Sequence, residues 1–157
     1  MFTLIDGRYQ AVASKIEEEW LSDPNSSKWY KYISDLGEPD KATYVIMVFH
    51  NQVENGGLHQ YFSNSYGQFA KETIHLLKQI KAFDAATILE RALGLVKPLD
   101  MPFEEFRKAL RKRTLRSIFQ NDDIVIPLDD LDKEYYSLGD EPLLKLEEFL
   151  RTISDSN

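Results

Sequence analysis

Apolar side chains recur at intervals of three and four residues along most of the chain, the spacing that lays a stripe down one side of an α-helix. Tyr9, Val12, Ala13, Ile16 and Trp20 form the first stripe, with Glu17, Glu18 and Glu19 on the polar side and Asp6 placed to cap the start. The turn formers from Asp23 to Ser27 end it. A short helix carrying Trp29, Tyr32, Ile33 and Leu36 follows, with Gly37 as its C-terminal glycine and Pro39 in the first turn of the next.

Ala42 to Phe49 is the longest apolar run, and its β-branched and aromatic content also fits a buried strand. Length decides for a helix. No glycine or proline interrupts 40–55, and Ala42, Val45, Ile46, Phe49 and Val53 fall on one face. Tyr44, Met47 and Val48 make it apolar nearly all round, so this helix is expected to be central and buried.

Gly56-Gly57 stops it, and a short helix then turns Leu58, Tyr61 and Phe62 inward up to Asn64. Regular stripes over 69–80 and 85–96, with Asp84 as a cap between them, predict an antiparallel pair of helices. After a loop over 97–102, a basic helix is expected, with Phe103, Phe106, Leu110 and Ile118 inward and Arg107, Lys108, Arg111, Lys112, Arg113 and Arg116 covering the rest. Asn121 to Asp123 should end it, 124–127 should be extended, and 129–136 should form an acidic turn with one helical turn. A last helix buries Leu143, Leu146, Leu150 and Ile153, with Glu141/Lys145 and Glu147/Arg151 spaced as i,i+4 ion pairs. The pattern as a whole predicts an all-α single domain over 1–157, an irregular bundle of about seven or eight helices with little or no sheet.

Composition narrows the chemistry. The 157 residues contain no cysteine, which excludes disulfides, thiolate metal sites and a cysteine nucleophile. Neither a signal peptide nor a membrane-length apolar stretch is present in the pattern, so a cytoplasmic protein is expected. The net charge of −7 is uneven: 1–60 sums to −4, 61–120 to +5 and 121–157 to −8. Net acidity disfavours direct binding to nucleic acid, whose phosphates reward positive surface. His50, His59 and His75 follow no metal-ligand spacing, and Ser63 and Ser65 lack the setting of a hydrolase nucleophile. No catalytic group, metal or cofactor is predicted.

The chemically richest stretch is Asn55, Gly56, Gly57, His59, Gln60, Tyr61, Phe62 and Asn64. Two glycines there can supply positive φ between helices, while the carboxamides bond the helix ends. With Asn51 one turn earlier, the same groups could instead line a polar cleft. This motif resembles the asparagine–glycine–glycine, glutamine–aromatic–phenylalanine, asparagine signature of the bacterial DNA-mimic-protein-like domain family. Leu131 to Tyr136 is similar to that family's aspartate–tyrosine segment, and the likeness extends roughly from Ala42 to Ile153. The resemblance implies an all-α fold, a homodimer, and an acidic surface that imitates duplex phosphates and occupies the DNA site of a transcription factor. Asp129, Asp130, Asp132, Glu134, Asp140, Glu141, Glu147 and Glu148 are the carboxylates expected to form that surface. Two other readings stay open: a small-molecule-binding or hydrolytic protein using the cleft around Asn55, His59 and Gln60, and a nucleic-acid binder through the basic residues of 107–116.

Overall fold

The computed structural model describes residues 2–115 and 121–155. Among them stand nine α-helices and one 3-10 turn, with no strand. The first four helices are α1 (Thr3–Ala13), α2 (Glu18–Ser22), α3 (Lys28–Ser34) and α4 (Glu38–Ser63). The 3-10 turn Tyr66–Phe69 leads to α5 (Ala70–Gln79), α6 (Phe83–Val96), α7 (Phe103–Lys112), α8 (Asp122–Tyr136) and α9 (Glu141–Asp155).

Helix α4 is the axis, and α1, α3, α5, α8, α9 and the 3-10 turn all pack on it. Ala42, Val45, Ile46, Phe49 and Val53 are fully enclosed, as their shared face requires. Pro39 lies in the first turn of α4, where its missing N–H costs nothing. Gly37 differs from expectation. It caps the start of α4 at φ −60° instead of closing α3, whose end falls at Asp35.

The first predicted helix is two. Helix α1 begins at Thr3, ahead of Asp6, because the Glu147 carboxylate of α9 accepts from the Leu4 and Ile5 amides at 2.9 and 3.1 Å. A cap from 143 residues away is invisible to a local capping rule. The C-terminal end is fixed by Tyr32, whose hydroxyl donates to the Val12 carbonyl at 2.9 Å, so the stripe breaks before Ile16 and Trp20.

The largest correction concerns the last third. Helix α7 ends at Lys112, well short of Asn121; Arg116 and Ile118, expected on it, lie outside the described residues. Asn121 starts a helix: its side chain accepts from the Asp123 amide at 3.0 Å. Ile124 to Pro127, expected to be extended, are helical, and so is the predicted turn at 129–136; together they make the fifteen residues of α8. Pro127 lies inside α8, where it removes the hydrogen bond that the Asp123 carbonyl would otherwise accept.

Candidate functional site

At the hinge, α4 changes direction at Gly57, with φ 82° and ψ 178°. Only glycine adopts that region readily. Gly56 does not share the positive φ expected of both. A second constraint acts at Gly57: a Cβ there would come within 2.4 Å of Asp132 Oδ2. The kink exposes the Leu58 amide, which donates to Asp132 Oδ1 at 2.8 Å. Two neighbours of Asp132 on α8 reinforce the joint. Tyr135 Oη lies 2.7 Å from His50 Nδ1, and Tyr136 Oη donates to the Val53 carbonyl at 2.9 Å. Phe49 meets the rings of Tyr61 and Tyr135 edge-on at 5.1 and 5.2 Å. The glycine motif and the aspartate–tyrosine segment are therefore two halves of one lock between α4 and α8.

The carboxamides of the hinge are spent on one another. Gln52 Oε1 accepts from Gln60 Nε2 and Asn64 Nδ2, both at 3.0 Å, and Asn55 Nδ2 donates to Gln60 Oε1 at 3.3 Å. Gln52 is the centre of this network, and sequence reasoning passed over it in favour of Asn51, which is exposed. Tyr61 and Phe62 fill the core beneath, and His59 is half-buried. Burial raises the Asp132 carboxyl above its ordinary value, opposed by the Leu58 amide, raised further by Asp129 and lowered by His59. Burial likewise lowers His50, against the pull of Glu54 and Asp140.

The basic residues separate into two groups. Arg107 is buried: Nε donates to the Gln68 carbonyl at 3.1 Å, Nη2 meets Glu72 Oε1 at 3.0 Å and Nη1 meets Glu104. Its guanidinium lies over the Tyr30 ring at 4.2 Å. Tyr30, whose hydroxyl donates to Glu72 at 2.6 Å, has its own pKa pushed up to about 12 by burial and that bond. Lys108, Lys112 and Arg113 are exposed and Arg111 is half-buried.

The acidic residues divide in the same way. Asp132 and Glu147, expected on the outer face, are buried caps for Leu58 and for α1. Glu147 is thereby turned to α1 and away from the predicted pairing with Arg151. Glu134 pairs with Arg91 at 3.2 Å while staying half-exposed, and Glu141 is half-buried. Asp129, Asp130, Asp140 and Glu148 are exposed. Because α8 starts earlier than predicted, Asp122 and Asp123 join Asp129, Asp130 and Glu134 on its open side, with Lys133 and the exposed Ile126 among them. The signal for these two was Asn121, a capping residue read as an ending.

Among the described residues, no group of three His, Cys, Asp or Glu is placed to hold a metal ion, and no helix is long and apolar enough to cross a membrane. A family model described as DMP19-like protein matches residues 34–153, about three quarters of the chain, including both halves of the lock. No curated protein and no solved structure gives a match.

Proposed function

The chain belongs to the DMP19-like protein family, and on that premise we propose that it is a protein-interaction domain, without catalytic activity, that occupies the DNA-binding surface of a DNA-binding protein. One observation carries the reading. Helix α8 presents five exposed or half-exposed carboxylates, Asp122, Asp123, Asp129, Asp130 and Glu134. They fall within about 18 Å of helix axis. One strand of duplex DNA carries about five phosphates over that length, at about 3.4 Å each. The partner of this reading offers arginines and lysines spaced for phosphates, and charge-assisted hydrogen bonds to carboxylates serve them equally well.

The lock fixes α8 in place, so its open side is presented rigidly and the ordering entropy of binding is low. A homodimer is part of the same proposal, and sedimentation checks it. So is a cytoplasmic location, for which fractionation of the source cell is the measurement. The decisive test is capture: a DNA-binding protein held by the immobilised chain is released by excess duplex DNA, by raised salt, and by Asp129→Lys with Asp130→Lys. Retention through all three treatments overturns the reading.

A further inference from the structure

The lock absorbs Asp132 and the Glu72–Glu104 pair absorbs Arg107, yet the end of α7 keeps a cationic cleft that neither feature explains. The cleft, of about 490 Å³, is lined on one side by Arg111, Lys112 and Arg113. Ser65 and Ser22 supply hydroxyls, and Leu21 and Pro24 supply an apolar wall. No acidic side chain is among the described residues that line it. Among the described residues, no carboxylate lies within ion-pairing distance of the three cations, in contrast to Arg107 on the same helix. A cleft lined by one sign of charge focuses the field on whatever anion enters it.

The backbone adds an independent sign. Helix α7 closes with the Thr114 amide donating to the Ala109 carbonyl at 3.0 Å and the Arg113 amide to the Leu110 carbonyl at 3.1 Å. That pattern ordinarily has glycine at the left-handed position. Here the position is Arg113, at φ 56° and ψ 40°. Facing it is a second left-handed non-glycine, Ser65 at φ 71°. Ser65 Oγ donates to the Leu110 carbonyl at 3.0 Å and receives Arg113 Nε at 3.5 Å. Of the three left-handed non-glycine residues among the described ones, Ser65 and Arg113 thus line one cleft, the third being Lys81, and Arg111 Nε is buried without a hydrogen-bond partner. Strain held in this way marks sites where position matters more than local stability.

We propose that this cleft binds a small phosphorylated ligand of the nucleotide class. Arg111 and Arg113 take the phosphate oxygens, Lys112 adds charge, and Leu21 and Pro24 pack against the body of the ligand. Arginine's planar fork suits phosphate, and compensation of three uncancelled cations favours a diphosphate or triphosphate over a single charge.

Calorimetric titration with pyrophosphate and with ATP, at fixed ionic strength, is the test. Both are expected to bind, ATP more tightly because pyrophosphate has no body for the apolar wall. Arg113→Gly suits the left-handed position, so the variant is expected to melt no lower than the parent while binding weakens about tenfold or more. Lys108→Gln, exposed on the same helix outside the cleft, is expected to leave binding unchanged. The proposal is overturned if neither ligand binds at about 10 mM. It is equally overturned if Lys108→Gln weakens binding as much as Arg113→Gly, since attraction is then diffuse.

Discussion

Helices α7 and α8 carry opposite charge, and each divides it between inside and outside within about one turn. On α7, Arg107 is enclosed among Gln68, Glu72 and Tyr30, while Lys108 and Lys112 are exposed. On α8, Asp132 is enclosed against Leu58, while Asp129 and Asp130 are exposed. In both cases the enclosed charge answers an irregularity elsewhere in the chain: the 3-10 turn offers Arg107 a free carbonyl at Gln68, and the α4 kink offers Asp132 a free amide at Leu58. A charge goes inside where a backbone group has been left without a partner.

Breaking the enclosed members should cost most. Arg107→Ala strands Glu72 in a largely enclosed setting and is expected to lower unfolding free energy by about 3 kcal/mol. Lys112→Ala, on the same helix, is expected to change it by less than about 0.5 kcal/mol. Urea denaturation of both variants checks the contrast. Next comes Glu147→Ala, which leaves the Leu4 and Ile5 amides unpaired; a loss of about 2 kcal/mol is expected, with hydrogen exchange accelerated at those two positions first.

Asp132 sharpens the comparison further. Asp132→Ala removes the acceptor for Leu58 and is expected to cost about 2 kcal/mol, whereas Asp132→Asn keeps an oxygen acceptor and is expected to cost under about 1 kcal/mol. The raised carboxyl sets the sign of the pH dependence. The folded state binds the proton more readily than the unfolded chain, so this group's contribution is full below 3.8 and is lost as pH rises through the folded value. Parent and Asp132→Asn melts compared across acid pH should therefore show the parent gaining on the variant as pH falls toward 3.8. His50 acts oppositely, its lowered value removing stability as pH falls below 6.5, and His50→Gln should flatten that limb. The smallest stability effect belongs to Asp129→Asn with Asp130→Asn, expected within about 0.5 kcal/mol by melting, while capture of the partner is lost.

What the sequence revealed follows the range of the interactions. Helix α4 was legible because an uninterrupted apolar run needs no distant partner to declare itself buried. The α5–α6 pair was legible for the same reason, from stripes joined by a three-residue turn. Helix α8 was hidden because Ile124, Val125 and Pro127 argue locally for an extended segment, and only a cap at Asn121 argues otherwise. The acidic surface was overdrawn by Asp132 and Glu147, whose amide partners lie 74 and 142 or more residues away. Nothing in their neighbourhoods separates them from Asp130 or Glu148. The glycine motif was recognised as a hinge, yet that it closes on the aspartate–tyrosine segment is a fact of three dimensions.

The Glu147 cap also sets a timetable. A chain made from its N-terminal end presents the Leu4 and Ile5 amides long before the carboxylate that receives them, which stands 143 and 142 positions later, respectively. Until α9 has left the ribosome, α1 lacks the cap that fixes its start, and ribosome-bound chains halted at Asp140 should leave its amides open to exchange. Helix α1 is thus made well before α9 but is secured only with it, through a bond that spans the bundle in sequence.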